Sequence, residues 1–445
     1  MDKSYKEVFT VSFPLVLGTL SGSIMMFFNR MFLLNYSFET FNAVALVIPV
    51  YSILMFGGSA IIGVSEVFIG ELNGQKNFSK TAQIAWQMVW LSLATIPLFV
   101  GARNLLADLL IPSSLYEHGF DYFNWIILCV PLSYLVVALS SFFVAIKKTK
   151  VIVATTVAGN LANILLDWLF IYGYGIIPKL GGFGAALATM IALLIQLAFL
   201  LHVFLKDKYQ QRYETRKLTF SLEIIKDCWK LGYPNAIGQI VELSGIYTAF
   251  YILSNLEPVY ITVFSMGQAF IGLFAFITDG MKRGVIAICS NLIGEKSLQS
   301  GFVNIGKCLK AHILIFTTLI LLLNISLVIF FQPFIDFVGL KSSVNDPMIV
   351  AEMFSSIQWI CCFLLIDGVS WIISGALIAL KDTKFIMAIS CAAMWTIFLM
   401  PLYILTQNHL PPRFIWVFAC LYSIAIVVAF MFKYARFRLI QQLPL

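Results

Sequence analysis

Twelve apolar runs, each long enough to cross a bilayer, constrain this chain more than any other feature. They cover residues 8–33, 41–71, 82–110, 121–146, 150–174, 181–205, 230–254, 258–293, 306–332, 347–379, 384–405 and 412–437. A helix needs about 20 residues to span the hydrocarbon layer. In lipid every backbone N–H and C=O must be satisfied inside the protein, so such runs become helices. The pattern predicts an all-α integral membrane protein with twelve transmembrane helices. The second, eighth and tenth runs exceed a plain span and are expected to tilt, bend or continue outside the membrane. Only 11% of the 445 residues are charged, against about 25% in soluble domains. The longest polar stretch, 206–230, leaves no room for a soluble enzyme domain.

The basic residues predict orientation. Of the 29 Lys and Arg, 22 fall at the two termini and in every second gap between runs. Five fall on the opposite side, and Lys282 and Arg283 lie inside the eighth run. The positive-inside bias puts both termini in the cytoplasm. The net charge of +7 is this topology signal and calls for no nucleic-acid partner.

The chain also repeats itself. Phe13-Pro14-x-x-x-Gly18 matches Tyr233-Pro234-x-x-x-Gly238, 220 residues later. Gly74-Gln75-Lys76 matches Gly294-Glu295-Lys296 at the same offset. Ala145-Ile146-Lys147-Lys148-Thr149-Lys150 matches Ala379-Leu380-Lys381-Asp382-Thr383-Lys384 at an offset of 234. Six spans per copy give both copies the same orientation, related by a pseudo-two-fold along the membrane normal. The expected division is an N-terminal lobe over 1–205, a cytoplasmic linker over 206–229 and a C-terminal lobe over 230–445. Two bundles flanking a central cavity suit alternating access.

Three acids break this repeat. Asp167 lies in the fifth run on a helical stripe with Asn160 and Asn163, spaced i, i+3, i+7. Glu242 and Asp367 lie inside the seventh and tenth runs. Their counterparts in the other copy are Pro401, Gly22 and Ser133, so the fold itself does not require acids there. An ionised residue at the bilayer centre costs at least ~2.5–3.5 kcal/mol. The group must be paired, protonated or working, and three of them point to an ion-coupled transporter. Asn163 and Asn160 would serve Asp167; Gln239 and Ser370, each one turn away, would serve Glu242 and Asp367. The structural alternatives are a packing acid bonded to Asn163 and a mutually satisfied Glu242–Asp367 pair.

Asp279, Lys282 and Arg283 sit beside Gly280 in the eighth run. Asp279 and Lys282 can pair at i, i+3. If the run bends at Gly280, these charges line a cavity; two bases there would suit a zwitterion, an organic anion or a phosphate head group.

Other chemistries lack their residues. The eight cysteines and four histidines show no metal-ligand spacing, so no metal is expected beyond a possible Na⁺ at the acids. Gly182-x-Gly184 has no βαβ setting, and no Walker sequence is present. No cofactor, nucleophile–base pair or cleavable signal peptide is expected.

Taken together, Asn163-x-x-x-Asp167 with Phe170-Ile171-Tyr172-Gly173, Gly182-x-Gly184-Ala185-Ala186, Leu231-Gly232-Tyr233-Pro234 before Glu242, and Asp367…Gly375-Ala376-Leu377…Lys381-Asp382-Thr383 resemble the multidrug and toxic compound extrusion (MATE) family over essentially the full chain. The resemblance implies a two-lobed, twelve-helix fold and export driven by inward H⁺ or Na⁺. It implies an N-lobe cation or proton site at Asp167, Asn163, Asn160 and Asn29, where Asn29 replaces the family's usual aspartate. It implies a C-lobe site at Glu242 and Asp367, as in the sodium-linked NorM-like branch, so features of NorM-like and DinF-like branches coexist. The expected protein is a monomeric antiporter in the bacterial inner membrane, with an amphipathic organic cation as substrate. The alternative is a flippase for a lipid or lipid-linked saccharide from the wider superfamily.

Overall fold

The computed structural model describes residues 3–111, 116–295, 298–329, 347–408 and 410–442; Lys296, Lys341 and His409 lie outside them. The first half comprises α1 (Lys3–Tyr36), α2 (Phe38–Gly63), α3 (Ser65–Gly74), α4 (Phe78–Leu110), α5 (Tyr116–Ile126), α6 (Cys129–Ala145), α7 (Thr149–Tyr172) and α8 (Gly181–Phe204). A short α9 (Asp207–Tyr213) leads to α10 (Leu222–Ser254), α11 (Pro258–Gly294), α12 (Leu298–Ile329) and α13 (Pro347–Ala379). Then follow α14 (Thr383–Ala393), a π-helical turn Met394–Leu399, α15 (Met400–Gln407) and α16 (Phe414–Gln442). Among the described residues, twelve helical segments are long and apolar enough to cross a membrane. This is the predicted all-α architecture.

The long runs resolve differently from one another. The second breaks at Val64 into α2 and α3. The eighth remains one helix, α11, unbroken through Gly280. Helix α10 begins at Leu222, inside the 206–229 segment expected to link the two halves. Glu223 in its first turn complements the helix dipole. The segment before it is tied to the first half. Thr215 O accepts from Trp86 Nε1 at 2.8 Å, and Thr219 O accepts from Gln87 Nε2 at 2.8 Å.

The repeat is visible in the backbone. Lys147 and Lys381 take left-handed φ values of 59° and 63°, just past the ends of α6 and α13. In each cap the following amide reaches back into the last turn: Lys148 N to Phe143 O at 2.8 Å, Asp382 N to Leu377 O at 3.0 Å. A backward hydrogen bond of this kind closes a helix end with a left-handed residue. The next threonine then ties each loop to the first helix of its half. Thr149 Oγ1 donates to Thr10 O at 3.3 Å, and Thr383 Oγ1 donates to Leu231 O at 2.7 Å.

Contacts between the halves cluster toward the end that carries these basic loops. A Cβ on Gly74 would stand 2.1 Å from Asn291 O, and one on Gly294 would stand 2.0 Å from Glu71 O. The repeat-related glycines thus let α3 and α11 touch backbone to backbone. Farther along α11, Gly284 and Gly280 admit Ser12 and Val16 of α1. Ser12 Oγ lies 2.8 Å from His312 Nε2 of α12, and Thr19 Oγ1 donates to Phe276 O at 2.7 Å.

Candidate functional site

Helix α7 carries Asp167 into the first half, where the residue is fully buried. Asn29 of α1 donates to its Oδ2 at 3.1 Å. With its amide oriented to satisfy both neighbours, Asn163 donates to the same oxygen at 3.0 Å and accepts from Thr189 N at 3.2 Å. Among the described residues no donor reaches Asp167 Oδ1. An unmatched buried acceptor costs about 1–3 kcal/mol, and more when charged. A proton or a small cation would satisfy it.

Asn160, the third member of the stripe, turns elsewhere. It donates to Ser21 Oγ at 2.8 Å and braces α7 against α1. Asn29 therefore belongs to the Asp167 cluster by direct contact, whereas Asn160 borders it.

The second half holds two adjoining cavities. The larger, about 330 Å³, is lined mainly by apolar side chains, with the rings of Phe264, Phe274, Phe363 and Trp416 among them. Glu242, Asp279 and Asp367 reach its wall. The smaller, about 50 Å³, lies toward the basic end and is lined by Asn235, Lys282, Ser370 and Ser374. Gln239, Glu242, Asp367, Trp371 and Tyr422 line both, so the predicted acid pair stands at their junction.

Ser370, expected to serve Asp367, lines the smaller cavity, and its hydroxyl donates to the backbone carbonyl of Asp367 at 2.7 Å. The hydroxyl that reaches the Asp367 carboxylate is Ser423 of α16, donating to Oδ1 at 3.1 Å. Lys282 places Nζ 4.2 Å from the centroid of the Trp371 ring. Arg283, expected beside it in the cavity, instead turns to Glu66 of α3 across the boundary between the halves. Consecutive residues on a helix point about 100° apart, so two adjacent bases need not share a surface.

Several of these partners escaped the sequence reading. Glu66 carried the same signal as the other acids, a carboxylate inside an apolar run. Ser423 carried none, since a serine in a transmembrane helix is unremarkable until its neighbour is known. Trp371 was one aromatic among many.

The MatE family model matches residues 14–169. The multidrug resistance protein NorM of Aliivibrio fischeri is 24% identical, covering 91% of this chain and 87% of its own length. The multidrug export protein MepA of Staphylococcus saprophyticus is 22% identical over 84% of this chain and 81% of its own. A solved multidrug resistance MATE transporter of the MOP superfamily, in an outward-facing conformation, superposes with a TM-score of 0.87 at 17% identity. That match covers 99% of this chain and 97% of the other. A MOP superfamily transporter from Pyrococcus furiosus, described as having a binding pocket of reversed polarity, superposes with a TM-score of 0.84 at 17% identity. It covers 99% of this chain and 97% of its own.

Proposed function

Since this chain belongs to the MATE family of efflux transporters, multi-pass proteins of the bacterial cell membrane, we propose that it is a secondary active exporter. It expels amphipathic organic cations by antiport with H⁺ or Na⁺. The observation that carries this reading is the larger cavity of the second half: apolar walls rich in aromatic rings, with Glu242, Asp279 and Asp367 in the lining. Aromatic faces attract organic cations through the ring quadrupole. Carboxylates at the end of an apolar chamber add charge attraction in a medium that screens poorly.

Asp167 is the proposed coupling group of the first half. Its Oδ2 is held by two amides, while Oδ1 is left for a proton or cation. Loading that oxygen changes the local charge by one unit beside α1, the helix that also packs against α11 and α12 of the other half. The ion shifts the two-lobe equilibrium only by its differential affinity for the two arrangements. With the basic end taken as cytoplasmic, the contacts at Gly74–Gly294 and Glu66–Arg283 close the inner side. The conformer is then the outward-facing one. The linker proposed between the lobes reduces to α9 and the strand-free segment before Leu222, and the protein works as a monomer.

The flippase alternative needs a basic cavity. Arg283 is engaged by Glu66, and Lys282 shares its cavity with Glu242 and Asp367; this favours cation export.

The test is efflux of a fluorescent organic cation from proteoliposomes, with proton and sodium gradients imposed separately. Asp167→Asn and Asp367→Asn run beside the parent. Gradient-driven efflux that disappears in Asp167→Asn supports antiport and names the ion. Absence of efflux under either gradient, from folded protein, overturns the reading.

A further inference from the structure

Among the described residues that line the two cavities of the second half, Lys282 is the only base. Its position follows from helix packing. Gly375 of α13 has no room for a Cβ, which would stand 2.9 Å from Lys282 O. The close approach of α13 to α11 at Gly375 sets Trp371, one turn earlier, beneath the Lys282 ammonium at 4.2 Å. From there Lys282 shares the small cavity with Glu242 and Asp367, while Asp279, one turn before it on α11, lines the larger one. Lys282 lines the small cavity on the basic side of the acids, while the aromatic chamber opens to their other side.

We propose that Lys282 is a tethered counter-cation for this acid cluster, and that it sets the cluster's affinity for mobile cations. The ammonium supplies charge that an ion or organic cation would otherwise bring. A cation arriving through the aromatic chamber competes with it for Glu242 and Asp367. Lys282 therefore weakens Na⁺ binding in the second half and keeps these acids for a ligand that gains from the aromatic walls as well. The inference rests on the proposed cation-binding role of the acids, but not on antiport.

The test is equilibrium binding of radiolabelled Na⁺ and of tetraphenylphosphonium to the purified full chain in lipid nanodiscs. Parent, Lys282→Arg, Lys282→Met and Lys282→Gln are compared, each checked by thermal unfolding. Removing the one positive charge among the described residues lining this cavity should tighten Na⁺ binding by about tenfold or more. Lys282→Arg should stay near the parent. Adding Glu242→Gln and Asp367→Asn to Lys282→Met should erase the gain. Tetraphenylphosphonium should gain less than Na⁺, because the rings hold it in every variant. Equal Na⁺ affinity in parent, Lys282→Met and Lys282→Gln overturns the proposal, as does a gain that survives loss of both acids. A gain in binding with no gradient-driven efflux would retain the counter-cation and reject the exporter.

Discussion

Arg283 of α11 grips Glu66 of α3 across the boundary between the halves, with Nε 3.1 Å from Oε1 and Nη2 on the same oxygen. Glu66 is almost wholly buried, while the Arg283 side chain is 32% exposed. Removing one partner of a buried pair strands the other and costs on the order of 3–5 kcal/mol. Partial exposure of the arginine moves the expectation to the low end of that range. Arg283→Met should therefore lower the thermal unfolding temperature and loosen the basic end. Asn291→Cys, about two turns farther along α11 at the same boundary, should react faster with a polar thiol reagent in the Arg283→Met background. Unchanged unfolding temperature and labelling rate would remove the pair from any role in closure.

The glycines make a second, independent case. Gly74→Ala would drive a methyl group to 2.1 Å from Asn291 O, a backbone atom that cannot swing away. Overpacking of this kind costs about 1–3 kcal/mol. Because the strain falls between the halves, it should disfavour the closed basic end more than it unfolds either half. Gly101→Ala is the control: its Cβ would meet nothing within 4 Å. There the substitution should be neutral or stabilise by roughly 0.5–1 kcal/mol, as alanine replaces glycine within a helix. Spin labels across the closed end should separate in Gly74→Ala and not in Gly101→Ala.

How much of this could be read beforehand depended on the range of each interaction. Span number follows from local hydrophobicity, so the twelve segments were legible. The repeat was legible because Gly74 and Gly294 must both lack side chains to let one backbone reach the other. Isolation of Asp167, Glu242 and Asp367 in apolar runs marked them, since few side chains are as costly there. Pairings were not legible. Asn29 meets Asp167 across 138 positions, a grouping that only the family resemblance implied, and Ser423 meets Asp367 across 56. Arg283 and Lys282 are neighbours in sequence, yet one crosses to the other half and one stays in a cavity. Residue type sets what a side chain can bond; helix rotation and packing decide with whom.

Asp167 yields a third prediction. Asp167→Asn keeps shape and amide contacts but cannot carry a charge. Coupled transport should fall to background while the protein stays folded. Asn29→Ala and Asn163→Ala each remove one donor from Oδ2, a loss of about 1.5–3 kcal/mol for a bond to a charged group. Each single variant should retain reduced, gradient-dependent efflux, and the pair should lose more. Full coupling in Asp167→Asn would move the coupling site to the second half.

The second half predicts charge discrimination. Glu242 and Asp367 stand where the aromatic chamber meets the small cavity, and Ser423 orients the Asp367 carboxylate. An organic monocation gains from both the rings and the acids, whereas a neutral analogue of the same shape gains from the rings alone. Glu242→Gln and Asp367→Asn should each raise KM for the cation about tenfold, equivalent to about 1.4 kcal/mol, and leave the neutral analogue nearly unchanged. Ser423→Ala keeps the acid and removes its donor, so its effect should run in the same direction but stay within a few-fold. Trp416→Ala enlarges the chamber wall without touching charge and should weaken cation and neutral analogue alike. Matched transport assays on the two compounds separate these outcomes. If Glu242→Gln, Asp367→Asn and Trp416→Ala all affect both compounds equally, the acids shape the helix packing and do not bind the cation.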